Sequence, residues 1–220
     1  MEDMSEARDA GRLMSDSVVA RVRAGCRSLI DASVSAVGLV VLSPALAFAS
    51  ALILVDDGAP LLFRQERLGQ GRAPFMLLKL RTMRDGRVTR AGKWLRTTGL
   101  DEAPQFWNVV RGEMSVVGPR PLTTHDVVRL GWHGREHDIR FLAKPGLTGP
   151  VQVMGAISAA DSVALEREYL ARRSAALDLV IVVATSAILV FGKDRVHTRM
   201  RLALASIRRM GHDAPSAQQR

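Results

Sequence analysis

The chain has 220 residues, and 31 Lys and Arg against 22 Asp and Glu give it a formal net charge of +9 and a pI near 11.0. This length suits one domain, alone or with a membrane anchor, but is short for two. The positive charge favours anionic partners, and one Tyr, three Trp and six Phe are too few for a surface that stacks nucleic-acid bases. We therefore expect membrane or phosphate chemistry rather than nucleic acid. The single cysteine, Cys26, excludes an intrachain disulfide and fits a reducing compartment.

The N-terminal part of the chain changes character near residue 27. Residues 1–27 are small and of mixed charge, and we predict a poorly ordered or amphipathic lead-in. The following stretch, Ala32–Val55, contains 24 residues without a charge. About 20 apolar residues are enough for a helix that crosses a bilayer. Ser43-Pro44 lies near its middle, where proline removes a backbone hydrogen bond and the Ser43 hydroxyl can bond to the backbone groups left free.

Positive charges flank this apolar stretch on both sides. Arg21, Arg23 and Arg27 precede it, and the segment from Arg64 to Arg96 holds ten Lys and Arg against two acidic residues. Flanks rich in Lys and Arg stay on the cytoplasmic side of a membrane. A helix that enters, breaks and returns to the same face satisfies both flanks. We therefore predict a re-entrant membrane hairpin over residues 28–57, with a membrane-crossing helix and a kinked core helix as the alternatives.

The downstream segment, residues 58–192, is predicted to be a cytosolic domain. Runs of alternating polarity at Leu61–Glu66 and Phe75–Arg81 flank a Gly- and Pro-containing loop, which indicates a β-hairpin. Residues 112–122 and 143–150 are predicted as turn and loop. Helices are predicted over Arg90–Arg96, Leu100–Val110, His125–Leu142, Ser162–Ala176 and Leu179–Phe191.

The predicted fold class is therefore α+β and mainly helical. It combines a re-entrant helix-break-helix with a cytosolic domain of helices and a small β-hairpin. Residues 193–220 are predicted to form a basic amphipathic stretch that suits anionic lipid, followed by a polar tail.

An acidic pair, Asp101-Glu102, is the strongest candidate for chemistry. Adjacent residues at a helix start point about 100° apart, so one carboxylate can attack a substrate while the other holds a metal. A carboxylate is a competent nucleophile toward phosphorus, and Mg²⁺ binds few carboxylates together with phosphate oxygens. A plain helix start, with Asp101 as the N-cap, explains the same residues.

A cluster of basic residues surrounds the acidic pair in the sequence and favours the chemical interpretation. Phosphoryl transfer needs positioning and electrostatic stabilisation of a diphosphate, which guanidinium groups provide through paired hydrogen bonds. Solvated surface charge is the alternative for any one of these side chains. The candidate phosphate-binding residues are Arg64, Arg67, Lys79, Arg81, Arg96 and Arg120.

Several ordered motifs give the chain its resemblance to a known family. They are the broken apolar segment with Ser43-Pro44, then FRQERLG at residues 63–69, LKLRTM at 78–83, LDEAPQFWNVVRGEMSVVGPRPL at 100–122 and KPGLTGPVQVMG at 144–155. From about residue 27 to residue 191 the chain resembles the bacterial sugar transferase family, also called the monotopic phosphoglycosyl transferases.

The resemblance implies a two-step transfer at the cytoplasmic face of the bacterial inner membrane. By position, Asp101 would attack the β-phosphate of a UDP-sugar and release UMP, and the phosphosugar-enzyme adduct would pass its sugar phosphate to polyprenol (undecaprenyl) phosphate. Glu102 would be the Mg²⁺ ligand and Arg120 a nucleotide or phosphate contact. Gln105 and Asn108, in the same motif, are expected among the substrate-binding residues.

The resemblance also implies partners and a place in metabolism. The expected partners are a UDP-sugar, polyprenol phosphate and membrane lipids, with no nucleic acid, and a homodimer is compatible with the sequence. The product would begin a bacterial glycan such as an exopolysaccharide or a lipopolysaccharide. The chain carries GPVQVMGAI where family members usually carry GWAQVNGRN, and the departures at Pro150, Met154, Ala156 and Ile157 bear on the choice of sugar. A catalytically inactive, membrane-docked scaffold is the alternative function.

Overall fold

The computed structural model describes residues 2–155, 158–191 and His197, with the backbone alone for residues 2–21, 135–136 and 189–190. Apart from His197, the predicted basic stretch and tail at residues 193–220 lie outside the described residues, as do Ala156 and Ile157. The described part combines many helices with three small sheets, so the mainly helical α+β prediction is confirmed.

In chain order the described helices are α1 (Glu2–Asp57), α2 (Arg90–Thr98), α3 (Gln105–Val110), α4 (Thr124–Arg129), α5 (Pro150–Met154), α6 (Ala159–Arg172) and α7 (Ala175–Phe191). Shorter 3-10 segments cover Gln70–Arg72, Leu100–Glu102 and Arg135–Leu142. The strands are β1 (Leu62–Leu68), β2 (Pro74–Leu80), β3 (Met83–Arg84), β4 (Arg87–Val88), β5 (Ser115–Val117) and β6 (Gly146–Thr148).

Helix α1 joins the predicted lead-in and the predicted membrane segment in one element. It begins at Glu2, so the backbone of the lead-in is helical, and it runs through Pro44 without an interruption. Pro44 has no N–H for the carbonyl of Val40, four residues earlier. The Ser43 hydroxyl donates to that carbonyl at 2.7 Å. The expected bond of the Ser43 hydroxyl is thus present, and it supplies the partner that the proline removes. The predicted break of the helix at Ser43-Pro44 is wrong in the sense that α1 continues through it.

One face of α1 packs on the domain and the other is exposed. Ala49 and Ile53 are buried against Leu80 of β2 and Leu95 of α2. Full burial of a side chain such as Ile53 stabilises a fold by about 1.5–3 kcal/mol. Only 11% of the most apolar 18-residue stretch of α1 is buried, and from Val22 to Asp57 the helix is long and apolar enough to cross a membrane. Exposed apolar side chains on this helix include Val34, Val37, Val41, Phe48 and Val55.

The predicted β-hairpin is confirmed. Strands β1 and β2 pair antiparallel with Phe63 opposite Lys79 and Arg67 opposite Phe75. Phe75 and Leu77 of β2 are buried against Val109 of α3, in keeping with the alternation of a half-buried strand. The hairpin thus carries basic side chains on strands that pack against helix α3.

Two predicted helices are shorter than expected because glycine and proline divide them. The predicted helix Leu100–Val110 is a 3-10 turn followed by α3, since Pro104 lacks the N–H that a continuous helix needs and instead begins a new one. The predicted helix His125–Leu142 divides into α4 and a 3-10 segment. Gly131, with φ +69°, takes a left-handed conformation between them.

The segments 112–122 and 143–150, predicted as turn and loop, each contain a short strand, so the prediction is wrong at β5 and at β6. The two strands pair in parallel, with Ser115 opposite Gly146 and Val117 opposite Thr148. The two backbones approach closely where three glycines meet. A Cβ added at Gly146 would lie 2.1 Å from the nitrogen of Gly118, and one added at Gly149 would lie 2.0 Å from the oxygen of Gly118. Only glycine fits this crossing.

Candidate active site

A cavity of about 1350 Å³ opens between the hairpin, α2, α5 and α7. It brings together side chains that lie far apart in the sequence, with basic and acidic groups on one wall and apolar groups on another. The predicted site residues that line it are Arg67, Lys79, Arg81, Arg96, Asp101, Glu102 and Arg120.

Asp101 is held in this cavity by the end of α2. Gly99 takes a left-handed conformation (φ +71°), which stops α2 and turns the chain into the 3-10 segment that carries the acidic pair. Asp101 is 9% exposed. Burial raises the pKa of Asp101, and the neighbouring Glu102 carboxylate raises it further, while Lys79 and Arg96 act in the opposite direction. The Asp101 carboxylate is therefore poorly solvated and lies near two cations, unlike a surface charge.

Glu102 is the more exposed member of the acidic pair. Its side chain is 51% exposed, and its Oε1 lies 2.6 Å from the Nζ of Lys79. Among the described residues no group of three or more His, Cys, Asp or Glu could enclose a metal ion. The donor set fits Mg²⁺ nevertheless, because this ion binds through one or two carboxylates with waters and phosphate oxygens completing its shell.

Arg96 is positioned by a close contact between α2 and the end of β2. Its Nε donates to the Oγ1 of Thr82 at 3.0 Å. The approach depends on Gly92, since a Cβ there would lie 2.1 Å from the carbonyl oxygen of Thr82. The Thr89 hydroxyl caps the first turn of α2 by accepting from the N–H of Gly92 at 2.9 Å. Local capping and close packing thus aim Arg96 at the cavity.

Arg67 and Arg120 give a second part of the cavity its positive charge. Arg67 donates to Asp126 and to the carbonyl of Pro121, each at 3.2 Å. Burial lowers the pKa of Arg67, Asp126 opposes this, and the guanidinium of Arg120 lowers it further. This part of the cavity therefore presents two guanidinium groups, the kind of group that binds phosphate oxygens.

Arg81 lines the cavity but already has partners. Its guanidinium donates to the carbonyl oxygen of Gly58 at 2.6 Å and pairs with Asp57 at 2.9 Å. A cation at the C-terminal end of α1 also interacts favourably with the helix dipole. Arg81 therefore joins the end of α1 to the hairpin.

Three predicted substrate-binding residues do not line the cavity. Arg64 is exposed on β1, and Gln105 is buried in α3. Asn108 is 1% exposed; its Oδ1 accepts from the N–H of Leu78 at 3.1 Å, and its Nδ2 donates to the carbonyl of Met76 at 2.7 Å. These bonds join α3 to β2, so Asn108 has a structural role. The binding role of these three residues stays a prediction.

The cavity also contains residues that were not singled out from the sequence. Gln152 and Thr148 line it together with His197, whose Nε2 lies 3.2 Å from the carbonyl oxygen of Gln152. Leu147, Val151, Ile188 and Phe191 form an apolar wall. Four of these residues lie within the motif at 144–155, so that motif could have indicated them as cavity residues. No sequence feature indicated His197.

The geometry suits nucleophilic attack on a phosphate. A buried carboxylate lies beside a half-exposed one, Lys79 is close to both, Arg96 is close to Asp101, and Arg67 with Arg120 extends the positive surface. Such an arrangement can bind a diphosphate and stabilise the charge that develops as one of its bonds breaks.

This chain is similar to several known proteins. A family model for bacterial sugar transferases matches residues 22–192. A UDP-glucose:undecaprenyl-phosphate glucose-1-phosphate transferase of Caulobacter vibrioides is 40% identical over 162 residues, which cover 66% of this chain and 60% of that protein. A UDP-galactose-lipid carrier transferase of Erwinia amylovora is 37% identical over 53% of this chain and 30% of its own length. The exopolysaccharide production protein ExoY of Rhizobium meliloti is 34% identical over 70% of this chain and 81% of its own.

Proposed function

Because the chain belongs to the bacterial sugar transferase family, we propose that it transfers a sugar 1-phosphate from a UDP-sugar to undecaprenyl phosphate and releases UMP. The observation that carries this proposal is the buried Asp101 carboxylate in a cavity lined by cations. The relatives named above as sugar-phosphate and lipid-carrier transferases support it. The product would be the first lipid-linked intermediate of a glycan such as an exopolysaccharide.

In the first step, a carboxylate oxygen of Asp101 attacks the β-phosphorus of the UDP-sugar. An Asp101 O–P bond forms and the bond from that phosphorus to the bridging oxygen breaks, so the electron pair leaves with UMP. In the second step, a phosphate oxygen of the lipid attacks the same phosphorus and the Asp101 carboxylate is restored. Lys79 and Arg96 are near enough to influence the charge of Asp101, and they stabilise the charge on the transferring phosphoryl group.

Mg²⁺ is the proposed cofactor, and Glu102 is the residue that would hold it. When bound, the ion neutralises part of the diphosphate charge. The Glu102 side chain is half exposed, which supports this role, and Lys79 at 2.6 Å orients its carboxylate. Arg120 and Arg67 bind the nucleotide phosphate in this proposal.

We further propose that the apolar stretch of α1 is a re-entrant segment, with both its ends on the cytoplasmic face of the inner membrane. The support is that one domain binds both ends. Arg27 pairs with Asp178 of α7, and Ser28 accepts from the Nζ of Lys144 at 2.8 Å. At the other end, Asp56 accepts from the N–H of Ala91 at 2.9 Å. Contacts of both ends of the apolar stretch with one domain support a placement of both ends on the same face, although α1 itself is continuous through Pro44.

Thiol labelling tests this topology. The native Cys26 is exposed and marks the N-terminal side of the apolar stretch, and an Asp85→Cys substitution in a Cys26→Ser background marks the domain. With a membrane-impermeant maleimide, we expect the two cysteines to react in inside-out vesicles and to be protected in right-side-out ones. Reaction of the two cysteines from opposite faces would refute the re-entrant arrangement.

The transfer itself is tested by UMP release. The purified chain, in detergent or nanodiscs with Mg²⁺ and undecaprenyl phosphate, is offered a panel of UDP-sugars. We expect UMP with at least one sugar and, without the lipid, a protein mass increased by one phosphosugar. If no UDP-sugar yields UMP, the proposal fails and a membrane-docked scaffold becomes the better account.

A further inference from the structure

The segment Pro119-Arg120-Pro121 has every backbone polar group bound. The two prolines have no N–H, so Arg120 carries the only amide hydrogen of the segment. The carbonyl of Pro119 accepts from the N–H of Gly146 at 2.9 Å, and the carbonyl of Pro121 accepts from Arg67 at 3.2 Å. The remaining two groups, the N–H and the carbonyl of Arg120, are bound by side chains from distant parts of the chain.

Arg140 and Glu166 bind these two groups together. The N–H of Arg120 donates to the Oε1 of Glu166 at 3.3 Å, and the carbonyl of Arg120 accepts from the Nη2 of Arg140 at 2.9 Å. The same Nη2 lies 3.1 Å from the Oε1 of Glu166. The Arg140–Glu166 pair thus closes a triangle of polar contacts around the backbone of Arg120, whose side chain lines the cavity.

Burial and aromatic packing hold the pair in one geometry. The side chains of Arg140 and Glu166 are 4% and 2% exposed. The guanidinium carbon of Arg140 lies 4.6 Å from the ring centroid of Trp132 and 5.8 Å from that of Phe141. A buried ion pair is a poor means of stabilising a fold, because apolar residues of similar volume often do as well or better. Its position directly beneath Arg120 points to a different use.

We infer that Arg140 and Glu166 are positioning residues that hold the backbone of Arg120 so that its guanidinium meets the substrate phosphate. The inference rests on the proposed function for the identity of that substrate. The two prolines already restrict the backbone of Arg120, yet a buried ion pair also binds its N–H and its carbonyl. A positioning role accounts for this additional restraint. A displacement of about 1 Å in a group that binds the reacting phosphate can lower the rate by about 10²-fold.

The first test is amide hydrogen exchange, which requires no activity. Removing one partner would leave a buried charge, so the variant is the double substitution Arg140→Met with Glu166→Met. The matched control is Glu168→Met with Arg172→Met, which removes an exposed ion pair from the same helix. In the full chain in nanodiscs, we expect the Arg120 amide to exchange about tenfold faster in the first variant and unchanged in the control. Unchanged exchange in both variants would overturn the inference.

The second test separates positioning from general damage. The KM for the UDP-sugar and kcat are measured for the Arg140→Met/Glu166→Met variant, with Arg120 present and in an Arg120→Ala background. We expect a KM about tenfold higher when Arg120 is present and no further rise when it is absent. An equal rise in both backgrounds would contradict the inference. A wild-type chain that releases no UMP refutes the proposed function instead, and the exchange result still decides the role of the pair.

Discussion

Replacing Asp101 with asparagine is expected to lower UMP release by roughly four orders of magnitude or more, and to abolish the phosphosugar adduct. Asparagine keeps the shape of the side chain but has no oxygen that can become the covalent leaving group of the second step. UMP release with each UDP-sugar and intact-protein mass spectrometry measure the two effects. Asp85→Asn is the matched control, because Asp85 is exposed in a turn and asparagine tolerates its left-handed backbone, with φ +47°. An Asp101→Asn enzyme with wild-type turnover would contradict the mechanism.

The same substitution is expected to stabilise the fold at neutral pH. Burial raises the pKa of Asp101, so the folded state binds a proton more tightly than the unfolded chain does. The stability that Asp101 contributes is therefore fully present below its unfolded pKa and is lost as the pH rises through its folded pKa. Asparagine does not titrate, so its contribution to stability does not fall as the pH rises. The Tm of the variant should therefore exceed the Tm of the wild type at pH 7, and the two Tm values should converge at low pH. A lower Tm at pH 7 would indicate that Asp101 is stabilised by its cationic neighbours.

Replacing Gly146 with alanine should impair both stability and activity. The new Cβ would lie 2.1 Å from the nitrogen of Gly118 and 2.2 Å from the oxygen of Thr148, and both are backbone atoms that cannot turn aside. Overpacking of this kind costs about 1–3 kcal/mol, or roughly 2–12 °C in Tm for a chain of this size. The N–H of Gly146 also binds Pro119, so the shift reaches Arg120, and we expect about 10²-fold less UMP release.

Gly25→Ala is the matched control for this substitution. Gly25 lies in α1, and no atom stands within 4 Å of the Cβ that alanine would add. Alanine is favoured over glycine in a helix, so its Tm should be equal or slightly higher. Thermal unfolding and UMP release, measured in parallel, decide the prediction. It fails if Gly146→Ala unfolds at the same temperature as Gly25→Ala and retains full activity.

Much of the local structure could be predicted because its causes are local. The 24 uncharged residues of Ala32–Val55 indicated an apolar helical segment, although the break predicted at Pro44 does not interrupt α1, and the alternating polarity around Arg67 and Lys79 indicated the hairpin. The Ser43 hydroxyl could be expected to bond near Pro44, because the carbonyl that loses its partner is four residues earlier. Each of these signals comes from neighbours in the sequence.

The site was only partly predictable. Seven of the predicted residues share one cavity, since the motif residues lie on the hairpin, on α2 and in the turns beside them. Asn108 has the same local appearance as a binding residue, yet its amide joins α3 to β2. Strand β6 was missed because its three residues contain a glycine and follow a proline, which together have the composition of a loop. Their pairing with β5 is a property of two distant segments.

The sequence by itself determined the apolar helix, the basic hairpin and the acidic pair at a helix start, since each depends on periodicity, charge or backbone chemistry within a few residues. Only the tertiary structure decided that Asp101 is buried among cations, that Arg140 and Glu166 meet beneath Arg120, and that one domain binds both ends of the apolar helix. The physical reason is that burial and hydrogen-bond partners come from residues remote in the chain, and no local pattern records which of them will meet.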